Sequence, residues 1–322
     1  MNVRIDRHAN ATVWRPPEGE IPFDVPEAGK PCHTWYKVVG DLNVTSPSIV
    51  PLITLHGGPG VCHELLGPLA DLNEQYGIPV IFYDQIGNGK STHIREKAGD
   101  EAFWSVELFM RELDNLIDYL GIRDGFDLYG QSWGGLLASQ YATLHPKGLR
   151  KMILANSPAS VELVLKGEEA LRAALPKEVR ETIERCEREG TTDSEEYAKA
   201  LEVYRKRHIC RIDPFPEEMN IAMRHMKEDP TVVNTMWGGD KLKPTGSLKD
   251  WTIIKDIPKI EVETFVLHGR YDQVQDISVI PFFELLPRVR WVTLEKSSHL
   301  PFFEERERYM ELLGGFCGGF PK

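Results

Sequence analysis

A serine set among glycines, Gly130-Gln131-Ser132-Trp133-Gly134-Gly135, constrains this chain more than any other stretch. The apolar run Phe126-Asp127-Leu128-Tyr129 before it reads as a short buried strand, and the run from Leu136 to Ala142 after it reads as a helix. A chain that passes from strand to helix so abruptly needs glycine two places either side of the serine. A side chain there would collide with the strand or the helix, and glycine tolerates the strained backbone. The turn exposes the serine, and the following helix points its first N–H groups at it, where negative charge can gather. Strand, G-x-S-x-G, helix is therefore the setting of an exposed nucleophile.

Two features far away in the chain fit the same frame. His56-Gly57-Gly58-Pro59-Gly60 follows directly on an apolar strand at 51–55, where a glycine-rich loop can offer a second oxyanion donor. Asp272 follows a strand at 264–268, and His299 lies in a loop after a strand at 290–294. Serine, then acid, then histidine, each after a parallel strand, is the order of α/β-hydrolases. The expected trio is Ser132, Asp272 and His299. Asp276 lies nearby, but only Asp272 stands just past the strand end. His268 ends a strand, where a satisfied structural role suits it. His56 is expected to shape the glycine loop, and His225 competes only as a further imidazole. Trp133 can also wall an acyl pocket, and Trp237 fits a lining or a core position equally well. Glu64 and Asp84 read as loop charges.

The rest of the chain sets limits. A length of 322 residues suffices for one large α/β domain with an insertion, or for two domains. Its 41% hydrophobic and 27% charged residues are ordinary for a soluble protein. A formal net charge of −11 argues against nucleic acid or an anionic membrane as partner. No run approaches the roughly 18 apolar residues of a membrane span, and the N-terminal residues lack the apolar stretch of a secretory signal. Five scattered cysteines suit a reducing cytoplasm, so a cytoplasmic location is expected. None forms C-x-x-C, and Cys32-His33, Cys62-His63 and His208/Cys210 do not reproduce a zinc spacing, so no metal or other cofactor is expected. Gly87-Asn88-Gly89-Lys90-Ser91 lacks the first glycine of a phosphate loop, because Asp84 stands there.

Patterning then suggests the organisation. Residues 1–30, rich in proline, read as an arm over the surface. Strands are expected near 33–39, 52–55 and 80–84, and a helix at about 63–73. The clearest helix covers 104–120, with Val106, Phe109, Met110, Leu113, Leu116, Ile117 and Leu120 on one face and Gly121 as its cap. A further strand is expected at 151–155. From about 160 to 230 the chain turns rich in Glu, Lys and Arg, with helical patterning and no convincing strand. Alternation of strand and helix resumes near Val262. These shifts divide the chain into an α/β-hydrolase core with a mostly parallel sheet, 1–158 and 255–322, and an inserted helical cap, 159–254. Gly314-Gly315-Phe316-Cys317-Gly318-Gly319 reads as a loose tail.

Together His56-Gly-Gly-Pro-Gly60, Tyr83-Asp84-Gln85-x-Gly87, Gly130-Gln-Ser-Trp-Gly-Gly135 and Gly269-Arg-Tyr-Asp272 resemble the proline iminopeptidase family of α/β-hydrolases, with fungal-type members and L-amino-acid amidases most similar. The resemblance runs from about residue 20 to 313. It implies Ser132 as nucleophile, His299 as base and Asp272 as orienting acid. It implies the N–H groups of Gly58 and Trp133 as the oxyanion hole, and a helical cap. Family aminopeptidases hold the substrate's α-ammonium with carboxylates. This chain departs there, with Gln273 directly after the acid and Lys241 before Thr245-Gly246-Ser247. A lysine cannot bind an ammonium, and a glutamine offers a dipole in place of a charge. A desolvated ammonium without a counter-charge costs several kcal/mol. The implied activity is a cofactor-free serine hydrolase working through an acyl-enzyme on a small amide or N-terminal aminoacyl bond, with a small molecule or short peptide as partner. One alternative is an esterase, thioesterase or acyltransferase acting on an amine-free substrate. Another is a non-catalytic binding protein on the same fold. The chain does not state an oligomeric state.

Overall fold

The structure, a computed structural model, describes residues 16–43, 49–239 and 244–318. Among these, eight strands form one sheet: β1 Glu18–Phe23, β2 Cys32–Val39, β3 Leu52–Leu55, β4 Val80–Tyr83, β5 Phe126–Gln131, β6 Leu149–Ala155, β7 Glu263–Gly269 and β8 Val289–Leu294. Their spatial order is β1-β2-β4-β3-β5-β6-β7-β8. β2 pairs antiparallel with β1 and β4, and all other pairs are parallel, so β2 alone runs against the rest. Every residue of β3, β4 and β5 is buried, as expected of parallel strands covered on both faces.

Helices fill the crossovers. A 3-10 segment His63–Ala70 leads into α1 Asp71–Tyr76. A helix was expected over this stretch, but Pro68 lacks the N–H that a regular α-helix would use. α2 Val106–Leu120 starts at a Ser105 cap and ends at Gly121, whose φ of 70° suits glycine. α3 Trp133–Ala142 follows β5 directly. α4 Val161–Ala173, α5 Lys177–Glu189, α6 Glu195–His208, α7 Glu217–Glu228 and α8 Thr231–Met236 stand between β6 and β7. α9 Asp276–Leu285 follows β7, and α10 Pro301–Glu304 and α11 Arg306–Cys317 follow β8. The two ends of the inserted stretch meet in a bridge between Ser160 and Thr252. Ile253 N also donates to Ala159 O at 3.0 Å. α5 and α6 share a small apolar cluster of their own, including Ile183, Cys186, Tyr197, Leu201 and Tyr204.

Two expectations are corrected. The supposed arm contributes edge strand β1, where Ile21 and Phe23 face inward between exposed Glu20 and Pro22. Proline at an edge removes no needed bond, and its presence masked the alternation. The supposed loose tail is the end of α11. Phe316 and Cys317 are buried, Lys151 Nζ donates to Phe316 O at 2.6 Å, and Gly314 lets the helix lie against the Tyr76 ring. Gly319 lies outside the described residues.

In the middle of the sheet, β3 has β4 on one side and β5 on the other. Their connections leave in opposite directions and open a crevice at the carboxyl ends of the strands. The glycine loop follows β3 and the serine turn follows β5, with Leu55 opposite Gly130.

Candidate active site

Ser132 sits between β5 and α3 at φ 54° and ψ −120°, a strained backbone that persists only where its surroundings impose it. Those surroundings are close. A Cβ on Gly130 would overlap the backbone of Gly134, one on Gly134 would overlap the carbonyl of Leu55, and one on Gly135 would overlap the Ser157 side chain. The glycines thus serve close approach, as the motif predicted. Ser132 N donates to Ala155 O at 2.9 Å, and Ser157 Oγ donates to Ser132 O at 2.9 Å, so the end of β6 grips the serine turn from both sides. Trp133 is the first residue of α3, where backbone N–H groups have no partner inside the helix. Its indole is buried.

The glycine loop is fastened to this turn by a residue that motif reading assigned no role. Gln85 Nε2 donates to His56 O at 3.1 Å, and Gln85 Oε1 accepts from Trp133 Nε1 at 2.8 Å. Gln85 N also donates to His56 Nε2 at 3.0 Å. That bond leaves the imidazole proton on Nδ1, which lies 3.1 Å from Gly57 O. Burial lowers the His56 pKa, consistent with this neutral ring. His56 thus shapes the loop, as expected. In the run 51–62 only Gly58 is exposed, and its φ of 109° suits glycine. Asp84 is no ordinary loop charge. It is fully buried and accepts from His63 N at 2.7 Å and Lys90 N at 2.8 Å. Burial acts to raise its pKa, but the bond and charge of His63 outweigh that and hold it low.

Asp272 and His299 meet. The carboxyl Oδ1 lies 2.7 Å from His299 Nδ1 and also accepts from Val274 N at 2.9 Å. Its Oδ2 accepts from Asn156 Nδ2 at 2.6 Å, and the same amide reaches Ser298 O at 3.1 Å. Asp272 is fully buried and His299 6% exposed, so the pair is largely shielded from solvent. Residues 155–157 therefore touch the serine turn, the acid and the loop of the histidine at once. His268 has other partners, Asp276 at 2.8 Å and the Trp291 indole at 3.1 Å, as a structural residue should.

The inserted helices lie over both loops. Gly60 packs against Val233 of α8, and Gly167 of α4 packs against Gln275 beyond the acid. Gln273 is half-buried and its N–H donates to the carbonyl of His208, the last residue of α6. Trp237 follows α8, half-buried, with its carbonyl accepting from Thr245 N and Gly246 N. Lys241 lies outside the described residues. In α4, Glu168 is buried and accepts from the Tyr204 hydroxyl. Burial pushes its carboxyl up to about 7. Among the described residues, two groups bring three ligand-type atoms within 4.8 Å of one another: Cys62, Glu64 and His225, and His63, Glu64 and Asp84. Sequence spacing hid both, since the first joins a loop to α7. The second is already occupied by the hydrogen bonds of Asp84. No helix among the described residues is long and apolar enough to cross a membrane.

Residues 50–306 match the family model described as alpha/beta hydrolase fold. The chain is 34% identical to the proline iminopeptidase of Heyndrickxia coagulans, over 83% of this chain and 90% of that one. Among solved structures, VinJ superposes with a TM-score of 0.87 at 44% identity, covering 94% of this chain and 99% of the other. The proline iminopeptidase of Mycobacterium smegmatis gives 0.86 at 33% identity, covering 93% and 97%.

Proposed function

This chain belongs to the proline iminopeptidase family of α/β-hydrolases, and from that premise we propose that it is a cofactor-free serine hydrolase with Ser132 as nucleophile, His299 as general base and Asp272 as the acid that orients it. The observation that carries the reading is the 2.7 Å bond between Asp272 and His299, anchored through residues 155–157 to the serine turn. His299 Nδ1–H faces the carboxylate, which leaves Nε2 free to take the Ser132 proton as its oxygen attacks a carbonyl carbon. The N–H groups of Gly58 and Trp133 receive the oxyanion. Loss of one such donor typically costs about 10²–10³ in rate. The leaving amine or alcohol takes the proton from His299, and water then cleaves the acyl-enzyme by the same route.

The substrate we favour is a small amide or N-terminal aminoacyl bond, held under a cap formed by residues 159–254, with Gln273 and Trp237 at its far end; a part for Lys241 rests on the sequence alone. The five free cysteines, all buried, support a cytoplasmic setting. Release of naphthylamine from prolyl and other aminoacyl naphthylamides tests the substrate. A fluorophosphonate probe tests the machinery: it should label the wild type and not Ser132→Ala, and an unlabelled wild type would leave only a binding protein. Gln273 favours a second reading, because a neutral amide stands where the family resemblance calls for a carboxylate. That reading is an esterase, thioesterase or acyltransferase on an amine-free substrate. It predicts faster turnover of short p-nitrophenyl esters than of aminoacyl naphthylamides, and the opposite ranking refutes it.

A further inference from the structure

The last turn of α6 touches the loops on either side of the acid–base pair. His208, its final residue, is buried, and its ring Nδ1 lies 2.8 Å from the carbonyl oxygen of Tyr271. Its own carbonyl accepts the N–H of Gln273 at 3.2 Å. These two bonds bracket Asp272, one residue before it and one after. Three residues on, Arg211 N donates to Glu304 Oε1 at 2.6 Å, and its guanidinium covers the Tyr271 ring at 3.9 Å. Glu304 in turn accepts from Ser298 N and Ser298 Oγ, each at 2.6 Å, directly beside His299. One turn back along α6, the Tyr204 ring packs on His208 at 5.0 Å, and its hydroxyl donates to Glu168 of α4. A short stretch of the inserted helices is thus tied to the neighbours of both Asp272 and His299.

We propose that His208 is a positioning residue: through Tyr271 and Gln273 it sets the Asp272 carboxylate against His299, so that the inserted helices and not the sheet alone fix the acid–base geometry. The inference rests on the triad reading given above. Nothing in it requires His208 to touch substrate. Without the His208 ring, Asp272 would keep its bonds to Asn156 and Val274 and Gln273 would keep the backbone carbonyl of residue 208, but the Tyr271 side of the loop would lose its clamp, and catalysis is sensitive to such shifts. A displacement of about 1 Å can cost about 10²-fold.

Two variants, one close to histidine in bulk and one smaller but carrying an N–H, separate positioning from packing. His208→Leu fills the site without a donor, whereas His208→Asn retains an N–H near the place of Nδ1. Both are compared with wild type for kcat and KM on whichever naphthylamide or p-nitrophenyl ester the wild type turns over, for the rate of fluorophosphonate labelling, and for thermal melting. The expected result is a fall of about 10–100-fold in kcat and labelling rate for His208→Leu, with KM within about threefold of wild type, and recovery of most of that loss in His208→Asn. Wild-type kcat in His208→Leu overturns the proposal. So does an equal loss in both variants, which would mark a packing role. A wild type that the probe leaves unlabelled is a different failure, because it removes the triad reading itself.

Discussion

Asn156 stands directly after β6 at φ 54°, a backbone region that asparagine enters more readily than most residues. Its side-chain amide joins Asp272 to the carbonyl of Ser298, so one residue holds the acid and the histidine's loop together. Asn156→Gly tolerates the same positive φ and removes the side chain with its amide. It leaves a buried carboxylate oxygen without its donor, which should cost about 1–3 kcal/mol of stability. Chemical denaturation measures that cost, and kcat on an ester substrate should fall about tenfold with the loosened pair. Neither Asn156 nor Gln85 was visible as a functional residue in the sequence. Asn156 meets Asp272 across 116 positions and Gln85 meets Trp133 across 48, and neither residue type is informative alone. Ser132, Asp272 and His299 stood out as candidates because each stands one loop past a strand, and such loops gather at one end of a parallel sheet.

Glycine placement tests two elements in opposite directions. Gly134, in the first turn of α3, has no room for a Cβ, which would overlap the carbonyl of Leu55 in β3. Gly134→Ala must push β3 and α3 apart, and a loss of about 1–3 kcal/mol or more is expected in urea denaturation. Gly315, in α11, is exposed, and nothing lies within 4 Å of where its Cβ would be. Gly315→Ala should therefore stabilise by about 0.5–1 kcal/mol through helix propensity. A destabilised Gly315→Ala would mean that the helix does not extend there. This is the segment that composition alone presented as a tail, because glycine content speaks for flexibility until packing against Tyr76 is known. β1 was hidden for a similar reason, its two inward residues lying between Glu and Pro. By contrast β3, β4 and β5 are continuous apolar runs, and α2 has a full amphipathic face between a serine and a glycine cap. Buried central elements write themselves plainly into a sequence, whereas edges and termini depend on the neighbours they meet.

For the molecule as a whole, buried carboxyls set a dependence of stability on pH. Burial pushes Glu112 in α2 up to about 8, against the hydrogen bonds that it accepts from Thr34 and Ile86. Burial also raises Glu168 to about 7 and Asp127 to about 6, the latter despite its ion pair with Arg150. Each of these groups holds its proton in the folded chain at a pH where the unfolded chain has released it. Unfolding therefore releases protons, and stability falls as pH rises from the ordinary carboxylate range toward these raised values. The contribution is fully present below the unfolded pKa and lost above the folded one. Asp84 and Asp229 have lowered values and act in the opposite sense, but only in more acidic solution, so they do not cancel the trend near neutrality. The formal charge of −11 adds repulsion in the same direction as pH increases. Glu112 has the widest window, and Glu112→Gln keeps the neutral form at every pH. The variant should lose less stability than wild type between about pH 5 and about pH 8, read as the shift of the urea midpoint across that range. Parallel curves for the two proteins would mean that the carboxylate is already ionised within the fold, held there by Thr34 and Ile86 more firmly than burial opposes it.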